Sequence, residues 1–340
     1  MIYGRDTINF ITKLSFRKIW NAAKVIASFY VSSSLGKVIQ WGMPFNISIE
    51  PTTSCNLGCP ECPSGLKSFT RDTGTLEMDF YHKFLQETHN NLLYLYFYFQ
   101  GEPYLHPKFL DLVKAASDQN IYTVTSTNAH FLSPKKAKET VESGLDRILI
   151  SIDGATQETY ESYRIGGKLS RVIEGTKNLV AAKKELNSST PHIIIQFLVV
   201  KPNEHEIPEI FKLGEELGVD EVKLKTAQIY DYKQGSELIP SLDEYSRYKR
   251  HSNGTYSIKN KLENKCWKLW HSCVVTWDGN IVPCCFDKDA KYAMGNLQTH
   301  TFRSIWENEN YKAFRGQLVK NRKSIDICTN CTEGLKVWAD

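Results

Sequence analysis

The sequence predicts an α/β fold built on a parallel sheet, curled or closed, with a helical extension before it and a small cysteine-rich unit after it. Three observations carry that prediction. Between residues 44 and 228, six strand-like runs alternate with five helical stretches. Residues 7–33 repeat apolar side chains at helical spacing. Six of the nine cysteines fall in the last quarter of the 340-residue chain.

Taken in order, residues 1–43 form the extension. On a helical wheel Ile8, Ile11, Ile19, Ala22, Ala23, Ile26, Phe29 and Tyr30 share one face, and Lys13, Arg17 and Lys24 gather on the other. Two uses follow: a helix docked on the body of the protein, or a basic amphipathic helix at a membrane surface or partner. The body starts at residue 44. Strands are expected at 46–52, 93–100, 121–127, 147–153, 192–200 and 221–226, and all but the first are rich in Ile, Val, Leu or Tyr. Helices are expected between them at 77–90, 106–119, 133–143, 170–187 and 205–217. Ser133-Pro134 reads as an N-cap followed by proline at the first helical position, and Gly144 and Gly218 as residues just past helix ends. Residues 229–265 are polar and irregular and read as a linker. From 266 to 340 a hairpin is expected around Asp278-Gly279, the dipeptide of a tight turn.

Composition narrows the function. Hydrophobic and charged fractions of 41% and 24% suit a soluble globular protein. No apolar run approaches the length of a membrane span, and the N-terminus does not read as a signal peptide. Cysteines at C-x2-C and C-x3-C spacing fit a reducing cytoplasm and metal sites better than disulfides. The net charge of +4 is uneven: residues 1–41 hold six Lys/Arg and one acid, Asp6, which leaves 36 basic and 37 acidic residues elsewhere. A balanced body gives no reason to expect nucleic acid as a partner.

Cys55, Cys59 and Cys62 stand in Thr52-Thr53-Ser54-Cys55-Asn56-Leu57-Gly58-Cys59-Pro60-Glu61-Cys62-Pro63, directly after the first strand. Three thiolates within eight residues cannot pair evenly as disulfides, and they suit a soft metal centre. On a [4Fe–4S] cluster they leave one iron open to another ligand. A zinc knuckle is the alternative, although zinc wants four ligands and usually C-x2-C pairs. The C-x3-C-x2-C loop resembles the radical S-adenosylmethionine (radical SAM) superfamily. That resemblance implies a partial (β/α)6 barrel of TIM type, a cluster whose open iron chelates SAM, and a 5′-deoxyadenosyl radical that takes hydrogen from substrate. Barrel enzymes work at the carboxyl ends of their strands, where this loop lies.

Further segments are similar to the family's SAM contacts. Gln100-Gly101-Glu102-Pro103 resembles its Gly-Gly-Glu-Pro, with the first Gly replaced or deleted; this implies that Gly101 and Glu102 serve the methionyl ammonium and Gln100 the nucleoside side. Thr127-Asn128-Ala129 resembles Thr-Asn-Gly, and Ser151-Ile152-Asp153-Gly154 resembles Ser-Leu-Asp-Gly. The resemblance implies SAM contacts at Asn128 and at Ser151, the latter to carboxylate or ribose. Arg164 is a candidate carboxylate partner, because a guanidinium matches that geometry; its other reading is a surface ion pair.

The C-terminal cysteines read Cys266-x17-Cys284…Cys328-x2-Cys331, with twelve residues between Cys266 and Gly279 and four between Gly279 and Cys284. This resembles the SPASM/Twitch extension, which implies an auxiliary [4Fe–4S] cluster on Cys266, Cys284, Cys328 and Cys331. A structural zinc site is the alternative. Cys273 lies in an apolar run and reads as core. Cys285 faces away from Cys284 if the strand stays regular; it is a further ligand if the backbone bends, or else a solvent-facing thiol. No histidine is assigned a catalytic role.

These readings converge on a cytoplasmic radical SAM oxidoreductase with two [4Fe–4S] clusters, SAM, and an electron donor such as flavodoxin or ferredoxin. Oxidative modification of a peptide or protein ranks first, because an auxiliary cluster can accept the electron that a substrate radical must lose. Dehydrogenation of a small molecule, aminocyclitol-like or lipid-linked, ranks second. The alternative of a different class is a non-catalytic iron–sulfur or zinc protein. Residues 7–33 carry the membrane-surface alternative.

Overall fold

The computed structural model of the chain describes residues 3–335; the outermost ends of both terminal units lie outside that range. Six strands make the body: β1 (Asn46–Ile49), β2 (Tyr94–Phe97), β3 (Tyr122–Thr127), β4 (Arg147–Ser151), β5 (His192–Val199) and β6 (Glu221–Thr226). They pair in chain order and in parallel, with Asn46 opposite Tyr94, Tyr94 opposite Tyr122, and Arg147 opposite His192. Helices return the chain across one face: Met78–Thr88, Phe109–Ser117, Pro134–Glu142, Gln157–Tyr163 with Leu169–Glu185, and Ile207–Leu217. Ile47, Ile49, Leu95, Phe97, Ile148 and Ile150 are buried toward those helices. The alternate residues line the lumen, among them Ser48, Tyr96 and Leu149. A sheet whose strands bury alternate residues under a helical layer is a partial barrel of TIM type.

The expected caps are in place. Ser133 Oγ accepts the Lys136 N–H ahead of Pro134, and Gly218 closes its helix at φ +70°. The stretch 229–265 is more ordered than its composition suggests. It carries an antiparallel ribbon, β7 (Tyr248–Arg250) with β8 (Tyr256–Ile258), turned at Gly254.

The cysteine-rich unit extends the barrel sheet. β9 (Ser272–Val275) pairs in parallel with β1, β10 (Asn280–Val282) folds back on β9, and β11 (Gly295–Asn296) follows β10. Thr276 and Gly279 close the hairpin turn where Asp278-Gly279 placed it. The nine strands therefore run β11-β10-β9-β1-β2-β3-β4-β5-β6.

The N-terminal helices, Tyr3–Thr12 and Phe16–Leu35, dock on the body. The first lies across the amino ends of the strands. Phe10 stacks on Tyr94 at 4.8 Å, Asp6 bonds Tyr122 and Arg147, and Lys13 reaches Asp146 at 3.3 Å. The face of the second departs from the helical wheel. Lys18, Asn21, Ala22, Val25, Ser28, Phe29 and Ser32 are buried, whereas Ile19, Ala23 and Tyr30 are exposed, as are Ile8 and Ile11 of the first helix. The polar residues turn inward because each finds backbone there. Asn21 both donates to Met43 O and accepts from Met43 N, at 2.8 and 2.9 Å, and Ser32 does the same with Ile39.

Candidate active site

Beyond β1 the chain enters the cysteine loop, which three contacts fix in place. Gly58 N donates to Ile165 O at 2.9 Å, Glu102 N to Ser54 O at 2.7 Å, and Thr53 N to Gly74 O at 3.0 Å. Below it, Glu50 is fully buried and takes a bidentate bond from Arg71 at 2.6 and 2.9 Å. The loop closes on a short turn, Pro63–Leu66, in which a Cβ on Gly65 would lie 2.6 Å from Cys59 N. Gly101 is equally constrained: its φ is +76°, and a Cβ there would come within 2.1 Å of Thr52 O.

Cys55, Cys59 and Cys62 share this pocket as free thiols. Burial pushes Cys55 up to about 11, and Glu102, Cys59 and Cys62 add to that rise. Cys59 is also raised by burial, against the opposing pull of Arg164. The Arg164 guanidinium lies 3.7 Å from Cys59 Sγ through Nη1, while its Nε bonds the buried carboxylate of Asp153. Arg164 is thus no surface ion pair. Gln100 Oε1 lies 3.8 Å from Cys62 Sγ.

The other SAM-contact candidates lie at or just past the carboxyl ends of β2, β3 and β4. Glu102 is buried and accepts from Thr127 Oγ1 at 2.7 Å, Asn128 N at 2.8 Å and Tyr104 N at 3.2 Å, so its carboxylate ties β2 to the end of β3. Asn128 Nδ2 reaches back to Asn56 Oδ1 in the cysteine loop at 2.7 Å. Ser151 is buried at the end of β4, opposite Gln196. The Tyr160 hydroxyl, buried beside Arg164, Asp153, Cys59 and Glu102, has no hydrogen-bond partner among the described residues. An orphaned hydroxyl close to Cys59 and Arg164 fits a polar ligand over a soft centre. Sequence reasoning missed Tyr160 and the supporting bonds of Ser64 (2.9 Å from Gly101 N) and Asp153; of these only Asp153 lay in a quoted motif.

Cys266, Cys284, Cys328 and Cys331 meet at the second site. Each of the other three feels Cys266; burial raises Cys266, Cys328 to about 11 and Cys331 to about 12, and the hydrogen bond with Cys285, followed by burial, raises Cys284. Arg322 is fully buried and aims Nη2 at Cys331 Sγ, 3.3 Å away. A Cβ on Gly334 would lie 2.4 Å from Cys266 Sγ. Thiols held protonated by burial, crowded together and served by a cation, suit a metal core that draws off their protons.

Past β10 the backbone bends, so Cys284 and Cys285 lie side by side with a hydrogen bond between them. Both line a lumen cavity of about 240 Å³ with Tyr96, Tyr98, Lys225 and Lys268. Lys288 lies over the Tyr230 ring at 4.7 Å and feels both Cys62 and Cys285, so it stands between the two cysteine groups. Cys273 is buried in β9, as a core residue should be.

The radical SAM superfamily profile matches residues 49–214, and an iron–sulfur cluster-binding domain profile, SPASM, matches 266–332. A tungsten-containing aldehyde ferredoxin oxidoreductase cofactor-modifying protein of Pyrococcus furiosus is 28% identical across 84% of this chain and 86% of its own length. The PqqA peptide cyclase of Gluconobacter oxydans is 27% identical across 80% of this chain and 79% of its own. Among solved structures, Streptococcus suis SuiB bound to its precursor peptide SuiA superposes with a TM-score of 0.64 at 17% identity, over 93% of this chain and 75% of that one. BtrN with AdoMet and 2-DOIA gives 0.55 at 19% identity, over 87% and 95%. The chain belongs to the radical SAM superfamily, as an enzyme with a C-terminal SPASM iron–sulfur domain whose cofactors are S-adenosylmethionine, a SAM-binding [4Fe–4S] cluster and an auxiliary iron–sulfur cluster.

Proposed function

We propose that this enzyme oxidatively modifies a peptide or protein, taking one substrate side chain at a time into the barrel lumen. The observation that carries this reading is the size of the lumen cavity. At about 240 Å³ it falls below the roughly 300–1,000 Å³ of pockets that enclose a whole small ligand. It is lined by Cys284 and Cys285, and Lys288 relates Cys285 to Cys62. A side chain threaded from a peptide at the mouth fits such a space. The names of the PqqA peptide cyclase and of SuiB with its precursor peptide support the same substrate class.

In this reading Cys55, Cys59 and Cys62 hold the SAM-binding cluster, and Cys266, Cys284, Cys328 and Cys331 the auxiliary one. The bound cofactors supply a one-electron cleavage that makes hydrogen abstraction possible. The chain's own residues orient and enclose. Asp153 fixes Arg164 beside Cys59, and Arg164 with Ser151 orients the carboxylate and ribose of SAM. Gln100 and Gly101 present the adjoining backbone, while Glu102 and Asn128 brace the loop from beneath. Tyr160 offers its hydroxyl to the bound cofactor. The electron donor is of flavodoxin or ferredoxin type.

Small-molecule dehydrogenation is the second reading. It is favoured by coverage, since this fold accounts for 95% of the BtrN chain but 75% of SuiB. Anaerobic reconstitution with iron and sulfide, then dithionite and SAM, tests the assignment. We expect 5′-deoxyadenosine from the wild type and none from Cys59→Ala, with the Cys59→Ala protein still folded by circular dichroism. A fully loaded protein that leaves SAM intact would show a non-catalytic iron–sulfur protein. Mass spectrometry of co-expressed peptides and of metabolites then separates the two substrate classes.

A further inference from the structure

The N-terminal helix Phe16–Leu35 spans about 30 Å, and its inner face is fully used by Asn21, Val25, Phe29 and Ser32. Its outer face carries Phe16, Ile19, Trp20, Ala23, Ala27 and Tyr30, all exposed. Phe16 is 82% exposed and Trp20 59%. The helix before it also exposes Ile8 at 63% and Ile11 at 56%. An exposed apolar stripe with aromatic residues spaced along it marks a binding surface. Arg17 and Lys24, both exposed, flank the stripe on one edge, and with Trp20 and Arg303 they line a shallow concavity. Phe16–Leu35 contains no acidic residue, and the one acid of the extension, Asp6, is bound to Tyr122 and Arg147.

We propose that this outer face lies in the plane of an anionic lipid surface. The charge decides the occupant. Apolar side chains insert at the headgroup boundary while the basic edge meets negative headgroups, an attraction worth about 1 kcal/mol per Lys or Arg. A second copy packed by two-fold symmetry would instead set Arg17 and Lys24 against the same cations. The contact lies in the plane, because no described helix is long and apolar enough to cross a membrane. It also leaves the active site accessible. The extension is anchored at the amino ends of the strands through Asp6, Phe10 and Lys13, and the cysteine loop follows the carboxyl end of β1, so the mouth faces the aqueous side.

Co-flotation of the full reconstituted chain with phosphatidylcholine vesicles, with and without phosphatidylglycerol, tests this independently of any substrate. We expect flotation only with the anionic vesicles. It falls at least about tenfold in Phe16→Ser/Trp20→Ser, and it falls in Arg17→Glu/Lys24→Glu together with its dependence on salt. Iron content and SAM cleavage stay at wild-type levels in both variants. Three results overturn the proposal: no flotation of the wild type, equal flotation of the apolar variant, or light scattering that shows a dimer in the wild type and a monomer in Phe16→Ser/Trp20→Ser.

Discussion

Single residues in this protein are chosen for what surrounds them, and His271 shows how far that goes. Its ring is buried, stacked on Trp267 at 4.5 Å and Phe45 at 5.2 Å, and neither ring nitrogen has a partner among the described residues. Burial, helped by nearby Lys268, lowers its pKa to about 3. The unfolded chain binds that proton near the ordinary value of about 6.5, the folded one only near 3. Between those values the unfolded state holds more protons, so stability is lost as pH falls through the window, by at most about 1.4 kcal/mol per pH unit. His271→Phe keeps the stacking and removes the titration. We expect its stability to fall less steeply than that of the wild type from pH 6.5 to 3, measured by urea midpoints at each pH. Parallel curves for the two proteins would show that His271 is already protonated when folded.

At the scale of elements, legibility in the sequence followed how much of each signal is local. β3, β4 and β5 were readable because buried parallel strands are nearly continuous apolar and β-branched runs, and the edge strand β6 because Val222 and Leu224 alternate with lysines. The cysteine loop was readable because three ligand types at fixed spacing have few other uses. β9 was missed: Cys273-Val274-Val275 looks like any core segment until β1 supplies its partner. The outer face of Phe16–Leu35 was misjudged for a related reason. A wheel counts apolar residues and cannot see that Asn21 and Ser32 meet an incoming backbone at Met43 and Ile39. Asn21 is therefore a stronger anchor than its neighbours suggest. Asn21→Ala strands the buried Met43 N–H and carbonyl together, and we expect a loss of about 1–3 kcal/mol by denaturant titration. Ala23→Ser, on the exposed face, should change stability by less than about 0.5 kcal/mol. The reverse ranking would mean that the helix docks by its other face.

For the whole molecule, two profile matches and a polar stretch between them suggest separable units, but the sheet argues for one cooperative body. β9 lies between β1 and β10, so cutting the chain at residue 265 opens the edge of β1, the strand that feeds the cysteine loop. The same cut removes Trp267 and Trp270, against which Phe29 packs at 5.3 and 5.8 Å, and Phe302, which packs on Phe84 at 6.0 Å. It also removes Trp277, whose N–H bonds Glu50 at 3.3 Å and whose ring lies so close to Gly74 that a Cβ there would come within 2.5 Å of it. The hairpin turn thus props the segment on which Thr53 rests. An open edge, several lost aromatic contacts and an unsupported loop weigh heavily against the roughly 5–15 kcal/mol that keeps a typical domain folded. We expect residues 1–265 alone to aggregate or to melt without a cooperative transition, and the full chain to unfold in a single step with coincident tryptophan fluorescence and circular dichroism. A soluble 1–265 fragment with a sharp melt that still binds iron at Cys55, Cys59 and Cys62 would show that the barrel stands without its SPASM neighbour, and that the β1–β9 pairing is a docking contact between two independent folds.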